Sequence, residues 1–309
     1  MKKIVLAAAL ASSVVLAACS TSDPTSSGAD GGEAGDSGTI VIGTANFPES
    51  DIIGNIYAEA LSEAGFDVEV NSGIGSREVY TGALEEGSVD VFPEYVGSLG
   101  AFYDADIPEG ADSAAVARTT ADALPEGLAL GDLAPGQNSD SFHVLPATAE
   151  EYDLTTLGDL QNMDTIRWAA NPEIEQRPFN AEGLERVYGV SADKIEYNFI
   201  SDSGGPLSVT ALRDGVVDVA SVFSTSPSYD SEGNIVETVA LADPEGLILP
   251  ENIVPVYRAD ALPQEAVDVL NEINAELTTE QLLAFNDRNL GAEKASPEAI
   301  AQDFVAERS

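Results

Sequence analysis

The sequence predicts an α/β fold in which mostly parallel sheets carry helices on their faces. From residue 39 to residue 223, short apolar runs of strand length alternate with segments whose apolar residues recur at helical spacing. The loops between them are short and rich in Gly, Pro, Ser and Asp. The last fifty or so residues break that alternation and read as consecutive helices.

Residues 39–43 (Thr-Ile-Val-Ile-Gly) form a continuous apolar run, as in a strand buried on both faces. A loop over 45–50 leads into a helix that places Ile52, Ile53, Ile56, Ala60, Leu61 and Ala64 at helical spacing, with Gly65 where a C-terminal cap belongs. A strand is predicted at 67–70, a helix from Val79 to Leu84 ending near Gly87, and a third strand at 89–92. The stretch 104–140 carries weaker signals. Strands resume at 141–146, 165–170, 196–200 and 217–223, the last preceded by the loop 201–206 and a helix through Leu212. Two more are predicted at 236–241 and 253–258, then helices at 264–277, 280–289 and 297–306. Ser296-Pro297 supplies an N-cap and a first-turn proline for the final helix.

One segment repeats. Ala-Leu-Glu-Glu-Gly-Ser-Val-Asp-Val at 83–91 echoes Ala-Leu-Arg-Asp-Gly-Val-Val-Asp-Val at 211–219, each reading as a helix end, a capping Gly and a strand. Tyr95 and Phe223 stand at the same distance beyond the two copies. Ligands of open α/β sheets bind outside the carboxyl ends of the strands, so two lobes built alike would each present one aromatic there.

A single Cys rules out an intramolecular disulfide, so the fold must hold by its core. The chain beyond the first 38 residues, about 270 residues, suits one large two-lobed domain or two small ones. Asp and Glu number 54 against 13 Lys and Arg, a net charge of −41. Phosphate binding needs a basic face, so nucleic acid is excluded as a partner. The acidity reads as a solvated surface whose field salt screens beyond about 8–10 Å.

Lys2 and Lys3 precede an apolar run from Ile4 to Ala18 interrupted only by Ser12 and Ser13, the layout of a secretory signal at residues 1–18. Its end, Leu16-Ala-Ala-Cys19, resembles the lipobox of bacterial lipoproteins. The resemblance implies a lipidated Cys19 at the start of the mature chain and an extracytoplasmic, lipid-anchored protein. Loss of Lys2 and Lys3 leaves 11 basic against 54 acidic residues, near −43. Residues 19–38, rich in Ser, Gly and Asp, read as a flexible tether.

Gly43-Thr-Ala-Asn-Phe-Pro-Glu49, followed by Gly54-Asn55, resembles the opening of the glycine betaine and osmoprotectant (quaternary amine) ABC transporter substrate-binding lipoproteins. The strongest match is 83–98, which contains Pro93-Glu-Tyr-Val-Gly97. Matches at 152–160, at Pro172-Glu173 with Arg177-Pro178, and at 211–225 follow in order, so the likeness runs from residue 39 to the end. It implies a two-lobed, periplasmic-binding-protein-like (type II) fold with a hinge and a mixed, mostly parallel sheet in each lobe. The first lobe would comprise 39–140 and 225–309, the second 141–224, with crossings near 138–141 and 223–228. The resemblance further implies capture of a zwitterionic or cationic solute between the lobes, namely glycine betaine, choline, carnitine or similar. The closed protein would deliver it to a membrane permease paired with a cytoplasmic ATPase. The alternatives are a receptor for another small solute, such as an amino acid or aromatic metabolite, and a non-transport surface lipoprotein.

A methylated ammonium has no N–H to donate and is held best by aromatic faces, at about 0.5–2 kcal/mol per ring. A carboxylate is held best by the two-pronged donor of Arg. The resemblance assigns Tyr95 to the aromatic cage with Ser98 beside it, Arg177 to the ligand carboxylate and Glu173 to its orientation. Three positions depart from the family pattern: Ala45 replaces a Lys, and Asp140 and Val209 each replace a Tyr. An Asp beside a cation can substitute electrostatically for a ring when its own charge is compensated. Ser76 and Arg77, which follow a Gly-rich loop at a helix start, Ser203 in the loop 201–206, and Phe223 and Thr225 from the opposite lobe complete the candidate site. The Gly-rich loop lacks the nucleotide-binding patterns.

Catalysis is not expected. His143 is the only His and lies in an apolar strand segment, where a packed role is the commoner one. No metal-ligand spacing and no Gly-x-Ser-x-Gly elbow occurs, and no cofactor or metal is expected.

Overall fold

The structure is a computed structural model that describes residues 38–108 and 110–308. The leader, Cys19 and the tether through residue 37 lie outside the described residues. In the first lobe the chain runs β1 (Ile40–Gly43), α1 (Pro48–Glu63), β2 (Val68–Asn71), α2 (Arg77–Glu86), β3 (Val91–Tyr95), α3 (Val96–Phe102), α4 (Ser113–Ala123) and β4 (Leu128–Leu130). The second lobe holds β5 (Asp140–Val144), α5 (Pro146–Tyr152), β6 (Ile166–Ala170), α6 (Ala181–Tyr188), β7 (Ile195–Phe199), α7 (Pro206–Arg213), β8 (Val219–Phe223) and β9 (Val239–Ala240). The chain then returns through β10 (Ile253–Arg258) to α8 (Gln264–Asn274), α9 (Thr279–Leu290) and α10 (Pro297–Ala306).

The two sheets have the orders β2-β1-β3-β10-β4 and β7-β6-β8-β5-β9. Pairing is parallel among β2, β1 and β3 and among β7, β6 and β8. β10 in one sheet and β5 in the other run antiparallel to both neighbours. The lobes are therefore built alike, and the repeat in the sequence is a repeat in space: β3 and β8 occupy equivalent positions 128 residues apart, Val91 to Val219 and Tyr95 to Phe223. Each preceding helix ends at a left-handed Gly, Gly87 at φ 78° and Gly215 at φ 68°, which only Gly adopts without strain.

Burial explains why these runs form strands. Ile40, Ile42, Val91 and Phe92 are at most 2% exposed, as expected for parallel strands covered on both faces. Ile52, Ile53, Ile56 and Leu61 of α1 pack on that sheet with Leu270, Ile273 and Ile300 from the C-terminal helices. The second lobe packs around Trp168, which is 1% exposed, contacts the rings of Phe142 and Tyr197, and donates from Nε1 to Ser221 Oγ at 2.9 Å. His143 is structural: its ring nitrogens bond Ser141 Oγ at 2.7 Å and Thr238 Oγ1 at 2.9 Å, and burial pushes its pKa down to about 4.

Several expectations shift. The third strand begins at Val91 rather than at residue 89, because Val89 N–H closes the helix on Ala83 O and Asp90 accepts from Val41 N. Pro146 opens α5 instead of ending a strand. The weak stretch contains α4 and β4; α4 buries only Val116 and Thr120 and so has no apolar stripe to read. The expected return to the first lobe at 225 is corrected. β9 pairs with β5 in the second sheet, and Leu241 and Leu247 belong to the core around Trp168. The return comes at 250–252, alongside the outward crossing, where Asn138 N donates to Glu251 O at 3.0 Å and Gln137 bridges Asn252. Asp140, expected to end the first lobe, is the first residue of β5.

Candidate functional site

A cleft of about 250 Å³ lies between the lobes, outside the carboxyl ends of β1, β3, β6 and β8. Nine of the ten expected site residues line it: Ser76, Arg77, Tyr95, Ser98, Asp140, Glu173, Arg177, Ser203 and Phe223.

The aromatic part is built first by the start of α1. Phe47 is the residue before the helix, with extended backbone, and Pro48 fixes the first turn. The Phe47 ring lies 6.1 Å from that of Tyr95 at the end of β3 and 5.8 Å from that of Phe223 at the end of β8. Three rings from the two lobes thus share one corner of the cleft. The Tyr95 hydroxyl donates to Glu49 Oε1 at 2.6 Å, and burial, followed by the Glu49 charge, pushes its pKa well up, so the phenol stays neutral.

The two arginines differ in how free they are. Arg77 at the start of α2 gives its fork to Glu94, with Nε–O distances of 3.2 and 3.1 Å, and Tyr80 donates to the same carboxylate. Arg77 lines the wall, but its Nε and Nη2 are engaged by Glu94, which is buried beneath it. Arg177 has, among the described residues, only Glu78 as an ion-pair partner, at 4.0 Å. Its loop is nonetheless fixed. Ile174 and Phe179 anchor it in the second-lobe core, Arg177 N donates to Ile174 O at 3.0 Å, and a Cβ on Gly183 would stand 2.0 Å from Pro178 O. A guanidinium with open donors on a fixed loop suits a ligand carboxylate.

Asp140 opens β5, opposite Phe223 in the register. Burial pushes its carboxyl up to about 6, against the opposing pull of Arg177 and Arg77. Ser98 donates its hydroxyl, at 2.6 Å, and its backbone N–H, at 3.0 Å, to the buried Glu251, whose pKa burial raises to about 7. Ser203 takes a left-handed conformation, φ 54°, and its N–H is held by Asn171 Oδ1 at 3.1 Å. Beside it, Asp202 accepts from the N–H groups of Leu207 and Ser208 and caps α7.

Thr225 is the exception among the expected residues. It is fully buried beneath the cleft, because the turn after β8 folds inward and its hydroxyl meets Glu49. Val209 lies in the second-lobe core, and Asp140 and Ala45 line the cleft, so none of the three departures from the family pattern brings a ring to it. Phe47, Phe179, Asn46 and Asn171 line the cleft without having been singled out. Phe47 was legible in principle, since it lies inside the Gly43–Glu49 motif.

The family profile for the substrate-binding domain of the ABC-type glycine betaine transport system (OpuAC) matches residues 38–307. The chain belongs to this family. The glycine betaine-binding protein YehZ of Escherichia coli (strain K12) is 26% identical over 282 residues, covering 87% of this chain and 90% of that protein. A glycine-betaine-binding protein of Pseudomonas aeruginosa PAO1 is 27% identical over 283 residues, covering 87% and 88%. A crystal structure described as a glycine betaine/carnitine/choline ABC transporter superposes with a TM-score of 0.68 at 19% identity, over 87% of this chain and 98% of that one. The fold of this substrate-binding protein is thus the two-lobed type II fold that the resemblance implied. Members of the family bind solutes for import and work outside the cytoplasm.

Proposed function

We propose that the protein captures a quaternary-ammonium osmolyte in the interlobe cleft and presents it to an ABC permease driven by a cytoplasmic ATPase. It makes and breaks no covalent bond. The observation that carries this reading is that the three-ring corner of Phe47, Tyr95 and Phe223 and the open fork of Arg177 line one cleft. Rings suit the methylated ammonium, and the guanidinium suits a carboxylate. Cys19, by its lipobox-like context, anchors the chain to the membrane by a lipid. Calorimetry against glycine betaine, choline, carnitine and proline betaine tests the proposal. At least one is expected to bind at micromolar affinity or better; no heat from any of them would transfer the cleft to another solute class.

Asp140 adds a pH dependence. Its pKa near 6 falls when a cation binds, so a choline-like ligand favours the ionised form and releases a proton. Affinity for choline is expected to fall below pH 6, by about tenfold at pH 5 relative to pH 7.5. Asp140→Asn should flatten that profile. Equal slopes in the parent and the variant would show that another group titrates.

A further inference from the structure

Glu49 is the least expected charge in the first lobe. It is 3% exposed, sits in the first turn of α1, and has no basic partner among the described residues. Four neutral donors surround it instead. Oε1 accepts from Tyr95 Oη at 2.6 Å and from Asn138 Nδ2 at 2.7 Å. Oε2 accepts from the Thr225 hydroxyl and from Asn286 Nδ2 at 2.6 Å, and the same amide donates to Thr225 O at 2.9 Å. A carboxylate offers about four lone-pair directions, and all are used.

The partners belong to different parts of the molecule. Tyr95 ends β3, Asn138 lies on the outward crossing, Thr225 lies on the turn leaving β8, and Asn286 belongs to α9. Each ring of the aromatic corner is tied to this one group: Phe47 precedes Glu49 by two residues, Tyr95 bonds it, and Phe223 precedes Thr225 by two. Helix dipole and hydrogen bonds make the buried charge tolerable there, but an apolar residue would fill the space without linking these segments.

We propose that Glu49 is a positioning residue that couples the aromatic corner to the interlobe crossing: its carboxylate sets the ring arrangement and the resting separation of the lobes together. The proposal rests on the capture reading only for its effect on ligand affinity. Gln is the informative replacement, since its amide would aim a donor at two of the four donors while keeping the shape.

The test uses the Cys19→Ser chain carrying spin labels at Glu63→Cys and Glu185→Cys, exposed positions on α1 and α6. The interlobe distance distribution is recorded without ligand, and glycine betaine affinity is measured by calorimetry. Glu49→Gln is expected to shift or broaden the distribution and to weaken binding at least tenfold. Thr225→Val removes one donor with little change of shape. It should shift the distribution in the same direction, and it decides the matter if Glu49→Gln does not fold. Distributions superimposable on the parent's in the folded variants would overturn the proposal. Because the distance measurement needs no ligand, it reads the hinge independently of whether glycine betaine is the solute.

Discussion

Arg177→Ala is expected to weaken glycine betaine binding by about 30- to 300-fold while leaving choline binding unchanged or tighter. Truncating one partner of a desolvated, hydrogen-bonded charge pair costs about 2–5 kcal/mol, and the partial exposure of Arg177 places it in the lower part of that range. Choline has a hydroxyl in place of the carboxylate and makes no such pair. Removing a cation from a cleft that also holds Asp140 leaves more negative potential for a ligand that is purely cationic. Arg177→Lys keeps the charge but loses the planar fork, so it should fall between parent and Ala for glycine betaine. Titration calorimetry with both ligands reads all of this. Equal losses for betaine and choline would mean that Arg177 supports the loop rather than the carboxylate.

The largest stability effect is expected at Trp168. It is 1% exposed in the centre of β6, packed against Phe142 and Tyr197, and its indole N–H is taken up by Ser221. Trp168→Ala removes the largest side chain in the second-lobe core and leaves a cavity and an unpaired hydroxyl, a loss of about 3–5 kcal/mol. For a domain of this size that lowers the midpoint of thermal unfolding by about 6–15 °C. Circular dichroism melts should show it. Trp168→Phe keeps most of the ring packing and should cost far less. A midpoint within about 2 °C of the parent for Trp168→Ala would mean that the second lobe does not set the melting of the protein.

The sequence was most legible where one physical signal dominated. The continuous apolar run of β1, buried on both faces, and the alternation of strand-length runs with helices such as α1 identified the parallel sheets. The helix–Gly–strand repeat correctly placed Tyr95 and Phe223 at equivalent strand ends. Weak stripes failed, as at α4, and so did the lobe boundary. Strand β9 is two residues long and is held by long-range pairing with β5, which leaves no local pattern. In the site, motif likeness named Arg177 and Tyr95, which line the cleft, but could not tell an arginine engaged by a carboxylate from one with open donors. That distinction depends on Glu94 folding beneath Arg77. Phe47 is hidden from reasoning on local sequence pattern, because an aromatic before a Pro reads as a loop residue until α1 turns it toward the other two rings.

A crystal structure of the protein grown with glycine betaine addresses the cleft assignment most directly. The trimethylammonium group should lie within about 6 Å of the Phe47, Tyr95 and Phe223 ring centroids, with the carboxylate on the Arg177 guanidinium. Ligand density bound elsewhere, or in this cleft with its carboxylate turned away from Arg177, would contradict the account.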